Sequence, residues 1–172
     1  MIFPALNAMV KRGVLNVPVI GVAFPKWSLA RLHKRATDSI ERAGGVDNKR
    51  ALQHLLSLLK YVSGAYKDSN TFTAIKEALG SARRPANYLA IPPSHFETVI
   101  SGLGTAKLAE HACVIVEKPF GLDLASAREL NQVAHSVFPE NSVFRIDHFL
   151  GKEAIIAADG GWRNPSNAVL SG

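Results

Sequence analysis

Short apolar runs alternate along this chain with longer stretches whose apolar residues recur at helical spacing. Such alternation is typical of βα units, which fold into a parallel sheet covered by helices. Residues 112–116 are apolar at every position, as expected of a strand buried on both faces. The predicted fold class is therefore α/β, with a doubly wound parallel sheet.

Local signals place the individual elements. Ser28 is expected to cap a helix that ends at Gly44-Gly45, and Ser94 with Glu97 has the spacing of a capping box. The predicted strands are 17–23, 61–64, 87–91, 112–116 and 143–146, and the predicted helices are 1–12, 28–43, 48–59, 69–79, 94–103, 123–138 and 148–157.

Composition limits the class of protein. With 172 residues, 47% of them hydrophobic and 20% charged, the chain is expected to form one globular domain over 1–157, followed by an irregular tail at 158–172. Cys113 is the single cysteine, which excludes an intrachain disulfide and fits a reducing cytoplasm. No apolar run approaches the roughly 20 residues that span a bilayer, so no membrane partner is expected.

Two motifs carry the chemistry: Glu117-Lys118-Pro119-Phe120-Gly121, and the stretch from Arg145 to Glu153. Each follows an apolar run, and polar residues at the carboxyl ends of parallel strands lie where α/β folds bind ligands. His148 and Lys152 are four residues apart, so on a helix both heads share a face and can bind one anion. Asp147 precedes them as a carboxylate that can orient an imidazole. This pattern predicts a phosphate pocket beside an acid/base pair.

These motifs, with others in the same order, closely resemble the NADP-binding domain of glucose-6-phosphate dehydrogenase, a Rossmann-like domain. The resemblance covers about residues 1–153, and the supporting stretches are 19–23, 61–64, 88–93, 96–97, 117–121, 123–127 and 145–153. It implies oxidation of glucose 6-phosphate to 6-phosphogluconolactone with NADP, the entry to the pentose phosphate pathway, in an enzyme that forms homo-oligomers.

The resemblance also implies residue roles. Lys118 contacts both coenzyme and sugar, while His148 and Lys152 bind the sugar phosphate. Asp147 orients the catalytic base. Pro92 shapes the coenzyme wall through its backbone.

The chain departs from the family pattern in several places. Phe149 replaces a tyrosine and cannot donate a hydrogen bond to phosphate. Where the family has an arginine for the coenzyme 2′-phosphate, the chain has Phe24-Pro25-Lys26, so Lys26 or Arg31 is the candidate substitute. The family's glycine-rich turn and first strand have no match before Met1, and its catalytic histidine has none after Glu153. We therefore expect a fragment truncated at both ends, without turnover on its own.

Loss of the first strand has a structural consequence. In the common doubly wound order, 3-2-1-4-5-6, that strand lies in the middle of the sheet. Strands 17–23 and 87–91 would then have open edges, and each buried unpaired group costs about 1–3 kcal/mol. We expect the isolated chain to be marginally soluble.

Simpler interpretations remain open. His148 and Lys152 could lie on a solvated helix face, Asp147 could only cap that helix, and Phe96 is expected to pack rather than bind ligand. The remaining histidines lack ligand spacing, so no metal is expected.

Despite a net charge of +6, the basic stretch 26–35 has only Trp27 as an aromatic companion, which is weak support for nucleic-acid binding. The main rival function is a non-catalytic remnant that binds anions or pairs with an intact subunit.

Overall fold

The computed structural model describes residues 2–117 and 123–146, and these form two compact units. The first unit contains residues 2–83 and 102–108, and the second contains 84–101, 109–117 and 123–146. The helices are α1 (Ile2–Lys11), α2 (Leu29–Arg42), α3 (Lys49–Leu58), α4 (Ser69–Leu79), α5 (Phe96–Thr105) and α6 (Leu124–Val137). The strands are β1 (Val19–Ala23), β2 (Leu59–Ser63), β3 (Ala86–Leu89), β4 (Cys113–Glu117) and β5 (Val143–Ile146). Short 3-10 turns cover Pro93–His95 and Glu140–Ser142.

The first unit is built on a parallel pair, β1 and β2, in which Val19 lies opposite Leu59 and Ala23 opposite Ser63. Helices α1, α2 and α3 contact one another, and α4 contacts both strands. Helix α2 buries one residue in every turn of the same face, at Leu32, Ala36 and Ile40. These side chains belong to a core that also contains Val10, Leu15, Ala51, Leu55 and Leu59.

The second unit is built on three parallel strands in the order β3-β4-β5. Val114 of β4 is fully buried, as the apolar run predicts for a central strand. Phe138, directly after α6, and Ile100 of α5 are each 1% exposed. The α6 helix begins with a capping box, in which Asp123 accepts from the Ser126 amide and Ser126 accepts from the Asp123 amide.

Each sheet has the strand order of one part of the doubly wound fold. Without strand 1, the order 3-2-1-4-5-6 consists of the pair 3-2 and the trio 4-5-6. The observed orders are β2-β1 and β3-β4-β5. Among the described residues, β1 pairs only with β2 and β3 only with β4. Within the described residues, β1 and β3 therefore each have one edge without a partner strand.

Most predicted element positions are confirmed, with two corrections. Ser94 lies inside the turn Pro93–His95, and α5 begins only at Phe96, so the predicted capping box is wrong. Leu59 is predicted at the end of a helix but begins β2, because its pairing with Val19 extends the chain there. The predicted helix 148–157 and tail 158–172 lie outside the described residues, and the single domain over 1–157 stays a prediction.

Candidate functional site

The second unit brings the carboxyl ends of β4 and β5 together. Glu117, the last residue of β4, lies opposite Ile146, the last residue of β5. Both motifs singled out in the sequence continue from these two positions. Their predicted site residues lie outside the described part of the chain, and their roles stay predictions: Lys118, Asp147, His148 and Lys152.

Tyr88 links β3 to the end of β4. Its hydroxyl donates a hydrogen bond to the Glu117 carboxylate. Tyr88 lies opposite Ile115, so Glu117 is two residues further along β4 and points to the same face. The bond positions the last residue before Lys118, and sequence reasoning did not identify it.

The segment after β3 contains Pro92 and Phe96. Pro92 is exposed, with φ −58° and ψ 144°, and its carbonyl accepts from the His95 amide at 3.0 Å. Its contact with coenzyme stays a prediction. Phe96 is 3% exposed, which confirms that it packs in the core.

In the first unit, two side chains of β2 hold the loop that follows β1. The Tyr61 hydroxyl donates to the Pro25 carbonyl at 2.6 Å, and the Ser63 hydroxyl donates to the carbonyls of Phe24 and Pro25 at 3.3 and 3.2 Å. Desolvation by partial burial raises the pKa of Tyr61 above its usual 10.0. The phenol therefore keeps its proton at neutral pH and remains a donor to this loop.

Trp27, Arg31 and Arg35 form a basic and aromatic group that we call the Trp27 cluster. The guanidinium carbon of Arg31 lies 4.8 Å from the centroid of the Trp27 ring, and that of Arg35 lies 5.6 Å from it. The Trp27 and Tyr61 rings are stacked, with centroids 6.1 Å apart and planes inclined by 18°. Ser28 caps α2 by accepting from the Arg31 amide at 3.2 Å. The cluster therefore extends from the carboxyl end of β1 to the first turns of α2.

The charges near this loop are almost entirely positive. Lys26 is exposed, and residues 24–34 contain no Asp or Glu. Asp38 pairs with Lys34, with 2.8 Å between Nζ and the carboxylate. In the described ranges, no carboxylate forms an ion pair with Lys26, Arg31 or Arg35. An anionic ligand therefore has unneutralised cations available at this edge.

Residues 2–117 and 123–146 contain neither a metal site nor a membrane-spanning helix. That part of the chain holds no group of three or more His, Cys, Asp or Glu side chains arranged to bind a metal ion. It also holds no helix of sufficient length and apolar character to cross a membrane.

Comparison with known proteins decides the family. Residues 1–156 match the family model described as "Glucose-6-phosphate dehydrogenase, NAD binding domain". The chain belongs to this family. The resemblance found in the sequence and the Rossmann-like fold class are both confirmed.

Curated relatives and solved structures agree with this assignment. Glucose-6-phosphate 1-dehydrogenase 1 of Mycobacterium tuberculosis is 40% identical over 156 residues, covering 91% of this chain and 33% of the relative. The Saccharomyces cerevisiae enzyme is 34% identical over 166 residues, covering 89% and 33%. The crystal structure of the Mycobacterium avium enzyme superposes with a TM-score of 0.83 at 40% identity, covering 88% of this chain and 33% of that one.

A structure described as glucose-6-phosphate dehydrogenase in complex with its substrate glucose 6-phosphate also matches, with a TM-score of 0.75 at 35% identity. It covers 88% of this chain and 34% of that chain. The chain thus spans about a third of the length of the family members it matches.

Sequence reasoning noted Trp27 and Arg31 but missed the arrangement that joins them to Tyr61 and Arg35. Part of the signal was present, since Arg31 and Arg35 have i, i+4 spacing on a predicted helix, and Trp27 precedes Arg31 by the same interval. The Trp27–Tyr61 stack joins residues distant in sequence, so it depends on the pairing of β1 with β2.

Proposed function

We propose that this chain supplies the coenzyme-binding and phosphate-binding part of a glucose-6-phosphate dehydrogenase, an NADP-dependent oxidoreductase acting on a CH–OH group. The reaction would oxidise glucose 6-phosphate at C1 to 6-phosphogluconolactone, in the cytoplasm and within a homo-oligomer of the intact enzyme. The observation that carries the proposal is the register of β4 and β5, with Glu117 opposite Ile146. In a chain of this family, that register makes both motifs continue from neighbouring strand ends.

The proposed substrate contacts follow from the chemistry of a sugar phosphate. His148 and Lys152 bind the phosphate through charge-assisted hydrogen bonds, and Lys118 positions the sugar against the coenzyme. Asp147 orients the imidazole that takes the C1 hydroxyl proton. No residue of this chain matches the family's proton-accepting histidine. A general base contributes about 10²–10⁴-fold to a rate, so we propose binding without measurable turnover by these 172 residues alone.

The proposed coenzyme contacts fit the charge of the first unit. NADP accepts the hydride when it is bound, and the residues given to its binding are Lys26, Pro92 and Lys118. Lys26 is exposed beyond β1 in a stretch without acidic residues, which suits the anionic coenzyme. A non-catalytic remnant that binds anions remains the second candidate, because Lys26, Arg31 and Arg35 lack carboxylate partners in the described part of the chain.

Isothermal titration of the chain with glucose 6-phosphate tests the proposed phosphate site. His148→Ala with Lys152→Ala should weaken binding at least about a hundredfold, because it removes two charge-assisted hydrogen bonds of about 1.5–3 kcal/mol each. Arg128→Ala is the matched control. Arg128 is an exposed cation on α6 and belongs to neither motif. Equal affinity in the double variant and the control would contradict the phosphate assignment.

A further inference from the structure

No role proposed so far uses the side chains of Tyr88 and Glu117, although they are joined at the carboxyl end of β4. The Tyr88 hydroxyl donates a hydrogen bond to the Glu117 carboxylate. Glu117 directly precedes Lys118 in the sequence, and Lys118 is the residue proposed to contact both coenzyme and sugar. The bond therefore ends one residue away from a proposed ligand contact.

The bond lies where the backbone pairing of β3 with β4 ends. In the part of the chain that the structure describes, the last paired residues of these strands are Leu89 and Val116, and Glu117 comes one residue later. On its other side, Glu117 pairs with Ile146 of β5. The end of a strand opens more readily than its interior. The Tyr88 side chain thus extends the connection between β3 and β4 to the residue before Lys118.

The surroundings of the Glu117 carboxylate strengthen this bond. Tyr88 lies opposite Ile115, and Glu117 follows Ile115 by two residues, so all three side chains point to the same face of the sheet. Glu117 is partly buried, and Ile146 lies opposite it on that face. A hydrogen bond to a charged group is stronger than one between neutral groups. It is stronger still where the group is partly removed from water.

A lysine that binds a ligand depends on a well-placed backbone. Its side chain has many rotamers, and holding it in one of them costs conformational entropy. A displacement of about 1 Å at a binding group can cost about a hundredfold in rate. A residue that is fixed by its neighbours before the ligand arrives reduces the freedom that binding must remove. Glu117 is fixed in this way, by β5 through its backbone and by Tyr88 through its side chain.

We propose that Tyr88 is a positioning residue, which acts through the Glu117 carboxylate to hold Lys118 in place for its ligands. Tyr88 itself touches neither the sugar phosphate nor the coenzyme. This inference rests on the proposed role of Lys118 in binding glucose 6-phosphate and NADP. It adds a side-chain contact between two strands to a site whose other proposed substrate contacts come from the two motifs.

Isothermal titration of the full chain with glucose 6-phosphate tests the inference. Tyr88→Phe removes only the hydroxyl and should weaken binding about three- to tenfold, the effect of one lost hydrogen bond. Asn87→Ala is the matched control, because it also removes one side-chain hydrogen bond between β3 and β4. That bond runs from Asn87 to the Cys113 carbonyl at 3.3 Å, at the amino end of β4. The control should bind with wild-type affinity.

The same titration in a Lys118→Ala background separates positioning of Lys118 from general support of the fold. If Tyr88 acts through Lys118, Tyr88→Phe should cause no further loss of affinity once the lysine side chain is gone. Circular dichroism checks that each variant is folded. Glu117→Ala removes the acceptor of the same bond and carries both predictions if Tyr88→Phe unfolds.

The outcomes separate the inference from the function on which it rests. A loss of affinity in Tyr88→Phe that disappears in the Lys118→Ala background supports the positioning role. Wild-type affinity in Tyr88→Phe, an equal loss in Asn87→Ala, or the same loss with and without Lys118 overturns it while leaving glucose 6-phosphate binding intact. A wild-type chain that does not bind glucose 6-phosphate overturns the proposed function, and the inference with it.

Discussion

The Tyr61 hydroxyl donates to the Pro25 carbonyl at 2.6 Å, which ties the loop after β1 to the neighbouring strand. Tyr61→Phe should lower the free energy of unfolding by about 1 kcal/mol, the net value of a typical hydrogen bond. Urea denaturation measures this change. An unchanged free energy of unfolding in Tyr61→Phe would contradict a stabilising role for the Tyr61 bond.

The pKa of Tyr61 predicts the pH range in which its hydrogen bond stops stabilising the folded state. Desolvation raises its pKa above 10.0 in the folded state. The folded state therefore holds the proton more tightly than the unfolded state, so the contribution is complete below about pH 10 and is lost as the pH rises through the folded pKa. Wild type should lose more stability than Tyr61→Phe as the pH rises above about 10. Parallel alkaline profiles would contradict this assignment.

The capping box of α6 predicts a loss of stability at low pH. Hydrogen bonds from the Ser126 amide and hydroxyl lower the pKa of Asp123 below 3.8. The stabilisation is therefore present above the unfolded pKa and lost as the pH falls through the folded value. Asp123→Asn should flatten the acid side of the stability profile measured by circular dichroism. A profile with the wild-type slope would show that the cap does not titrate with folding.

Gly102 lies on α5 at a point where the Phe72 ring leaves no room for a side chain. A Cβ at this residue would clash with the Phe72 ring, and Phe72 is buried. Gly102→Ala should destabilise the chain by about 1–3 kcal/mol, the usual cost of overpacking. Ser101→Ala, at an exposed position on the same helix, is the control. Thermal denaturation that leaves Gly102→Ala as stable as this control would contradict the close contact.

The sequence predicted the parts of the fold that depend on local chemistry. Ser28 caps α2 as expected, because a cap needs only its own side chain and the next turn of backbone. Gly44 and Gly45 end α2 with φ of 128° and 89°, conformations that favour glycine.

Features that depend on distant contacts were not predictable in the same way. Leu59 has helical neighbours in sequence, yet its pairing with Val19 makes it a strand residue. The bond between Tyr88 and Glu117 needs the register of β3 and β4, which no local pattern encodes. The site motifs were recognisable at once, although the residues given catalytic and phosphate-binding roles lie outside the described part of the chain.

The open strand edges predict the behaviour of the isolated chain. In the described residues, β1 and β3 each pair on one side only, and unpaired edges promote association. Light scattering should show aggregation that grows with protein concentration. A monomeric solution with a cooperative transition above about 65 °C, the upper end for mesophilic domains, would contradict this expectation.

The central claim is that the chain binds a sugar phosphate through its phosphate. Isothermal titration with glucose 6-phosphate and with glucose measures this most directly. We predict saturable binding of glucose 6-phosphate, no detectable binding of glucose, and no NADPH formation when NADP is added. Equal heats for both sugars, or no binding of glucose 6-phosphate, would contradict the account.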